Sequence, residues 1–208
     1  MEITIEPPSP NYPPPINPTK EEFSQEMGDD LIRAIAWQEW ANSVCNPTDF
    51  LRWAHYCPKK PEFENQYYVI SNKSGDFGVM QINQYWWKDF FNNPKNKSGD
   101  HIGWDWTIRD WRENIKDGIY IAITQADKCI EVYWSNLPQN DPLYPSLLDH
   151  VRAGIYHHGC GWLRDLVRFY PEISERKEAV YTYSPDGTNY VNWVKEFMKY
   201  PQPWNKIP

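Results

Sequence analysis

The chain has 208 residues, of which 40% are apolar, 16% aromatic and 24% charged. This length suits one domain with an appendage, and the abundant aromatics without repeats exclude fibrous, collagen-like and fully disordered classes. The net charge of -7, without a run of lysine or arginine, argues against nucleic acid as a main partner, and no apolar stretch approaches the roughly 20 residues of a transmembrane helix.

The first 18 residues contain seven of the 19 prolines in the chain. Proline fixes φ and removes a hydrogen-bond donor, so residues 1–18 are predicted to form an extended arm or linker. The N-terminus shows neither the basic nor the apolar region of a signal peptide. The folded domain is predicted to span 19–208, starting at Thr19, which has capping-box spacing to Glu22.

The first helix of this domain is predicted from Asp29 to Asn42. Ile32, Ile35 and Ala36 form its apolar stripe, and Glu39 continues that stripe at the next helical step. Burial raises the pKa of a carboxyl group, and a carboxyl that stays protonated near neutral pH can act as a general acid. The alternative is that Glu39 turns to solvent or to an ion pair at the helix end.

The segment after this helix is predicted to be irregular. Residues 43–75 are rich in proline, asparagine, lysine and tyrosine, which favour a loop with short strands. Residues 67–70 are expected to form a strand and 71–75 a turn. Residues 76–83 are then expected to form a second strand or a strand leading into a helix.

A group of polar and aromatic residues within and after this second strand is suited to binding sugars. It contains a carboxylate and two amides, which can pair with hydroxyl and acetamido groups, and two tryptophans, whose rings can stack on sugar faces. These residues are Asp76, Gln81, Asn83, Trp86 and Trp87. The alternative is a polar turn before a helix, with both tryptophans in the core.

The second half of the chain is predicted to be helical. Apolar spacing predicts one long amphipathic helix from Ile108 to Ile130, a helix around 147–155 and a helix around 162–167 that stops before Pro171. The last helix is predicted from Thr188 to Tyr200. The expected fold is therefore mostly α, with a small β or loop lobe after the first helix.

The four cysteines allow three complete pairings, and the absence of a CxxC motif disfavours a zinc ribbon or a thioredoxin motif. We expect Cys45–Cys57 and Cys129–Cys160 disulfides and an oxidising compartment. The histidines His150, His157 and His158 with Cys160 fit no standard zinc spacing. No metal and no cofactor is expected.

Five segments, in the same order along the chain, resemble motifs of the soluble-type lytic transglycosylases in the lysozyme-like superfamily. They are Ala34–Glu39, Gly78–Asn83, Asn114–Tyr120, Tyr156–Gly161 and Tyr190–Val194. The stretch from Asp76 to Trp87 also resembles animal-type lysozymes. Two positions depart from the transglycosylase pattern: Trp40 replaces a serine and His157 replaces an asparagine.

This resemblance implies an α+β lysozyme-like fold, with the active-site cleft between a helical lobe and a small β/loop lobe. It implies cleavage of the β-1,4 bond between N-acetylmuramic acid and N-acetylglucosamine in peptidoglycan, with Glu39 as general acid and then base. The substrate-binding residues would be Gln81, Asn83, Trp86, Trp87, Tyr156, His157 and Tyr190, with Tyr190 beneath Glu39.

Several functions remain open at this stage. Transglycosylation would close a 1,6-anhydro ring, whereas hydrolysis would use Asp76 as a second carboxylate, as in lysozyme. A non-catalytic glycan-binding module of a secretion or phage assembly and an enzyme acting on chitin-type glycans are further alternatives. Peptidoglycan as partner implies the periplasm, cell envelope or extracellular space, and the proline-rich arm could join a larger assembly there.

Overall fold

The structure is a computed structural model that describes residues 25–44, 75–93, 95–96, 103–108 and 110–199, with only the backbone for 40–44. The predicted arm, the capping box at Thr19, the strand at 67–70 and the Cys45–Cys57 pair lie outside the described residues.

The described chain is mostly helical with one small antiparallel sheet, which confirms the predicted mostly α class. Its elements in chain order are α1 Asp30–Val44, β1 Asp76–Phe77, β2 Ile82–Asn83, α2 Gln84–Asn92, α3 Trp104–Thr107, α4 Trp111–Ile119, a π-helix Tyr120–Gln125, α5 Ala126–Tyr133, α6 Leu147–His158, α7 Cys160–Phe169, α8 Ile173–Thr182 and α9 Tyr190–Phe197. Among these residues, none of the helices combines the length and apolarity that crossing a bilayer requires.

The core has two apolar clusters. In the first, α1 packs on α9 and the hairpin packs on α4, with Ile35, Met80, Ile115 and Val194 inaccessible to solvent. The second cluster joins α5, α6, α7 and α8. Helix α9 contacts both α1 and α6 and so connects the two clusters. This arrangement holds the C-terminal helix against the first one.

The segment 76–83, predicted as a strand or as a strand leading into a helix, consists of two short strands that form a hairpin. Asp76 pairs with Asn83, and Phe77 pairs with Ile82. The chain reverses between them, where Gly78 has φ +73° and Gln81 has φ +47°. Such positive φ values turn the chain sharply, and glycine adopts them at little cost. Helix α2 follows directly after the second strand.

Asn114 in α4 holds this hairpin in place. Its Nδ2 donates to the carbonyl oxygens of Phe77 and Thr107, both at 3.0 Å, and its Oδ1 accepts from the backbone N–H of Met80 at 2.9 Å. A Cβ atom at Gly78 would lie 2.3 Å from the Asn114 side chain. The close approach therefore requires both the amide and the glycine.

The long helix predicted for 108–130 is divided in the structure. Asp110 caps α4 by accepting from the backbone N–H groups of Arg112 and Glu113, so the helix begins at Trp111 rather than at Ile108. A π-helix then separates α4 from α5. Each π turn is wider than an α turn, which shifts the side chains around the axis. Apolar spacing along the sequence does not reveal this change of period.

The C-terminal half contains one helix that the sequence analysis missed. Helices α6 and α7 lie where the apolar spacing predicts them, but α8 (Ile173–Thr182) has a polar sequence and buries only Arg176, Ala179 and Val180. Helix α9 begins at Tyr190 with Asn189 as its N-cap, one residue after the predicted N-cap Thr188, whose N–H instead donates to Asp186 in the preceding turn.

The Cys129–Cys160 disulfide is present, as predicted. It joins α5 to the first residue of α7, with the two Cα atoms 5.6 Å apart and a separation of 31 positions along the chain. The bridge therefore fixes the start of α7 against α5, beside the turn that joins α6 to α7.

Candidate active site

Glu39 is a largely buried carboxyl group near the end of α1. The neighbouring residues Ile35, Ala36 and Gln38 are at most 1% exposed, and the Glu39 side chain is 16% exposed. Burial raises the pKa of Glu39 to about 8, which a hydrogen bond from Tyr190 partly opposes and the negative charge of Asp76 increases further. Glu39 is therefore mainly protonated at neutral pH.

Two aromatic rings surround the Glu39 carboxyl. The Tyr190 hydroxyl donates to Oε1 at 2.7 Å from the first residue of α9. His157, at the end of α6, stacks flat on the Tyr190 ring with centroids 4.1 Å apart and an interplanar angle of 7°. Its Nδ1 lies 3.9 Å from the same Glu39 oxygen. Packing between α6 and α9 thus orients the groups around the carboxyl.

A second carboxylate, Asp76, lies at the start of the hairpin. Asn83, its partner across the two strands, donates from Nδ2 to Oδ1 of Asp76 at 2.6 Å. The Oδ1 of Asn83 accepts from the backbone N–H of Tyr85 and so caps α2. The charge of Asp76 contributes to the raised pKa of Glu39, so the two carboxyl groups are electrostatically coupled.

Gln81 and Tyr156 both hydrogen-bond to the hairpin turn. The Nε2 of Gln81 donates to the Gly78 carbonyl oxygen at 2.7 Å, and the Tyr156 hydroxyl donates to the Met80 carbonyl oxygen. Burial raises the pKa of Tyr156 well above its usual value, and the negative charge of Glu39 adds to this. Tyr156 therefore remains a neutral donor, and it attaches α6 to the turn.

All the predicted site residues except Tyr190 line one cavity of about 670 Å³. The predicted residues on its wall are Glu39, Asp76, Gln81, Asn83, Trp86, Trp87, Tyr156 and His157. Tyr190 is 2% exposed and contacts Glu39 without lining the cavity. The structure thus brings together residues from α1, the hairpin, α2 and α6.

The two tryptophans occupy different environments. Trp86 is 71% exposed, with one edge against the Tyr85 ring. Trp87 is half-buried and stacks on Phe91 with centroids 5.8 Å apart, so it also belongs to the core. Both tryptophans line the cavity, but of the two only Trp86 exposes most of its ring surface to solvent.

Several cavity residues were missed by the sequence analysis. Ile121 and Gln125 of the π-helix line the wall, as do His158 and the turn Gly159–Gly161. The motif Tyr156–Gly161 contains a signal for the turn, since Gly159 has φ +76°. The π-helical residues carried no signal, because their placement depends on the change of helical period.

The histidines are arranged differently from the grouping considered in the sequence. His150 is 4% exposed and its Nδ1 lies 2.7 Å from the Tyr181 hydroxyl, and Cys160 is in the disulfide. His157 and His158 instead lie beside Asp186, and potential ligand atoms of these three residues are all within 4.8 Å of one another. These three residues could hold a metal ion.

The described residues, which are mostly helical, define a cavity with two carboxyl groups on a wall of polar, aromatic and aliphatic side chains. Comparisons of the chain with protein-family models, curated proteins and solved structures find no match. Function is therefore inferred from the chemistry of the cavity together with the sequence resemblance.

Proposed function

We propose that this protein cleaves the β-1,4 glycosidic bond between N-acetylmuramic acid and N-acetylglucosamine in peptidoglycan, as a lytic transglycosylase. In this proposal the cavity is the active-site cleft of a lysozyme-like arrangement, between a helical lobe and a small lobe that contains the hairpin. The supporting observation is Glu39: a mainly buried carboxyl with a pKa raised to about 8, at the wall of a cavity that also contains a second carboxyl group and the amides of Gln81 and Asn83.

The first chemical step requires an acid. The glycosidic oxygen is a poor leaving group unless it is protonated while the bond to the anomeric carbon breaks. Glu39 holds a proton at neutral pH and would transfer it to this oxygen. As that bond breaks, the 2-acetamido oxygen of the muramic acid residue would bond to the anomeric carbon on its opposite face.

The second step regenerates the acid. The ionised Glu39 would accept the proton of the C6 hydroxyl, whose oxygen bonds to the anomeric carbon and displaces the acetamido oxygen. The product is a 1,6-anhydro sugar, no water is consumed, and Glu39 is protonated again. The hydrogen bond from Tyr190 stabilises the carboxylate between the two steps, since it favours the ionised form.

The rest of the cavity wall suits a glycan chain. Amide groups of Gln81 and Asn83 can exchange hydrogen bonds with hydroxyl and acetamido groups, and the exposed ring of Trp86 can stack on a sugar face. A peptidoglycan substrate would place the protein in the periplasm, the cell envelope or outside the cell. The Cys129–Cys160 disulfide is consistent with such oxidising surroundings.

Hydrolysis is the second candidate, and Asp76 is the observation that favours it. Asp76 lines the same cavity and its charge acts on Glu39, which is the relationship between the two carboxyl groups of a retaining glycosidase. Asp76 would then stabilise or trap the anomeric centre, and water would complete the reaction with a reducing end as product.

Digestion of purified sacculi with mass analysis of the products tests both candidates. Wild type should release anhydro products, which are lighter by one water than hydrolytic products. Glu39→Gln should lower the rate by about 10²–10⁴-fold, as expected for loss of a general acid. Glu196→Gln, at an exposed ion pair with Lys199, is the control and should be fully active.

Asp76→Asn separates the candidates. Continued anhydro formation supports transglycosylation, whereas reducing-end products in wild type that disappear in Asp76→Asn support hydrolysis. Unchanged turnover by Glu39→Gln would refute both. Binding of sacculi without any cleavage by wild type would indicate a glycan-binding module, and turnover of chito-oligosaccharides alone would indicate a chitin-type substrate.

A further inference from the structure

Two histidines at the end of α6 face an aspartate in the turn before α9. The Nε2 of His157 lies 3.1 Å from Oδ2 of Asp186, and the Nδ1 of His158 lies 3.7 Å from the same oxygen. Asp186 follows His157 by 29 residues along the chain, so the fold alone creates this group.

The carboxylate of Asp186 is oriented by its own turn. Its Oδ1 accepts from the Ser184 hydroxyl at 2.7 Å and from the Thr188 backbone N–H at 3.0 Å, so Oδ2 is directed at the two histidines. Although burial raises the pKa of Asp186, these hydrogen bonds hold it well below its usual value. One oxygen of Asp186 is therefore positioned by the turn, and the other accepts a hydrogen bond from Nε2 of His157.

Both imidazoles present a ring nitrogen to the same oxygen of Asp186. A metal ion binds an imidazole through a nitrogen without a proton, so an ion at this site would replace the proton that Nε2 of His157 donates to Oδ2 of Asp186. Packing fixes the rings: His157 stacks on Tyr190, and His158 lies nearly parallel to the Trp162 ring, with centroids 6.1 Å apart.

We propose that His157, His158 and Asp186 bind one divalent transition-metal ion of the zinc class. Zinc bonds of about 2.0–2.1 Å in a tetrahedron place neighbouring ligand atoms about 3.3 Å apart. The two separations from Oδ2 of Asp186 are 3.1 and 3.7 Å, and all three ligand atoms lie within 4.8 Å of one another, so small rotations of the rings would complete the geometry. Two imidazole nitrogens and one carboxylate oxygen are a ligand set that zinc accepts, with a fourth position left for water.

The site adjoins the cavity but does not depend on the proposed glycosidase. His157 and His158 both line the cavity wall, so an ion held there would lie at its edge. The spacing of the histidines and Cys160 along the sequence predicted no metal, because Asp186 is brought to His157 and His158 only by the fold. Binding can be measured without any substrate, so failure of one proposal leaves the other standing.

Isothermal titration calorimetry of the full chain with zinc chloride at pH 7, after treatment with EDTA, tests the site. Wild type should bind one ion per chain with an affinity that His158→Ala and Asp186→Asn each reduce at least about tenfold. Ser184→Ala removes the hydroxyl that orients Asp186 and should reduce the affinity by about 10-fold or more. Asp165→Asn, at an exposed ion pair with Arg164, is the matched control.

Circular dichroism confirms that each variant is folded before titration. If Asp186→Asn unfolds the turn, His158→Gln takes its place in the titrations, beside His158→Ala. Absence of zinc binding by folded wild-type protein overturns the proposal. Equal zinc binding by wild type, His158→Ala and Ser184→Ala overturns it as well, because the ion is then held elsewhere in the chain.

Discussion

The Tyr190 hydroxyl donates a 2.7 Å hydrogen bond to Oε1 of Glu39 across 151 residues of sequence. The bond favours the ionised carboxylate, whereas burial favours the protonated carboxyl, and burial dominates because the resulting pKa is about 8. Burial also raises the pKa of Tyr190 well above its usual value, so its hydroxyl keeps the proton that it donates. Tyr190 thus keeps the pKa of Glu39 lower than burial alone would make it.

Replacing Tyr190 by phenylalanine removes this donor while keeping most of the ring that His157 stacks on. The pKa of Glu39 should then rise further, so the fall in glycosidase activity at alkaline pH should move to higher pH. The unfolding free energy should decrease by about 1 kcal/mol, the net value of one hydrogen bond. The pH–rate profile of muropeptide release measures the first effect and urea unfolding the second.

Tyr181→Phe is the matched control for this variant. The Tyr181 hydroxyl contacts Nδ1 of His150 at 2.7 Å, and Tyr181 is absent from the cavity wall. Loss of the Tyr181 hydroxyl should lower the unfolding free energy about as much as Tyr190→Phe does, and it should leave the pH–rate profile unchanged. An alkaline limb that moves equally in both variants, or in neither, would contradict a direct effect of Tyr190 on Glu39.

The raised pKa of Glu39 also makes a prediction about stability. Between pH 4.5 and about 8 the native carboxyl keeps its proton while the unfolded one loses it, so this group destabilises the fold increasingly as pH rises. Glu39→Gln has no such ionisation. The unfolding free energy of Glu39→Gln minus that of wild type should therefore grow by up to about 1.4 kcal/mol per pH unit in this range and then level off.

Taking the difference between the two proteins isolates Glu39 from the histidines. Burial lowers the pKa of His150 and of His158 to about 4 each, so these residues make the fold more stable as pH rises from about 4 to 6.5. That contribution is present in wild type and in Glu39→Gln and cancels. Urea unfolding at several pH values measures the difference, and a difference independent of pH would disprove the raised pKa.

Local sequence patterns predicted the structural features that depend on residues close together along the chain. Glu39 stood out because an acid continued an apolar stripe, and helical geometry alone then directs it toward the core. The Cys129–Cys160 bridge was predicted differently, as the pair that remains once Cys45 and Cys57 close a short loop. In contrast, the approach of Asp186 to His157 depends on how the turn before α9 lies against α6, and no pattern within either segment encodes that distance.

The hairpin also depends on a contact with another segment of the chain, although its own sequence is short. The segment 76–83 shows strand-forming residues, but where the strand reverses depends on Gly78, whose positive φ is stabilised by its fit against Asn114. Asn114 lies in α4, so the sequence of segment 76–83 gives no indication that this amide holds the turn in place. The π-helix escaped prediction because apolar spacing was compared only with the α-helical and strand periods.

Gly78→Ala and Gly187→Ala form a matched pair that tests the hairpin clamp. Both glycines have φ +73°, so both substitutions incur the left-handed penalty of about 1–2 kcal/mol. A Cβ at Gly187 meets nothing within 4 Å, whereas a Cβ at Gly78 would lie 2.3 Å from Asn114. Gly78→Ala should therefore destabilise the protein by about 1–3 kcal/mol more than Gly187→Ala.

Thermal and urea unfolding of the two glycine variants supply the comparison. Gly78→Ala should also lower the proposed activity, because a displaced hairpin moves Asp76 and Asn83 on the cavity wall. Gly187→Ala leaves the hairpin unchanged. Equal losses of stability in the two variants would show that the Asn114 side chain moves to make room for the added methyl group. The close approach of Asn114 to residue 78 would then not be needed for the hairpin to form.

The last prediction concerns the bridge between α5 and α7. Closing a segment of 31 residues reduces the entropy of the unfolded chain, so Cys129→Ala combined with Cys160→Ala should lower the unfolding free energy by about 2–4 kcal/mol. The double variant does not alter Cys45 and Cys57, whereas a reducing agent would also break the bridge that the sequence predicts between them. Both bridged cysteines also line the cavity, beside His158 and the turn that follows it.

Loss of the bridge should therefore affect the zinc proposal in a defined way. His158 remains in α6 and should still bind, but with lower affinity, since the end of α6 is no longer restrained by the linked start of α7. Urea unfolding and zinc titration of the same preparation measure the two effects together. An unfolding free energy equal to that of the oxidised wild type would show that α5 and α7 hold their positions through packing alone, with the disulfide adding nothing.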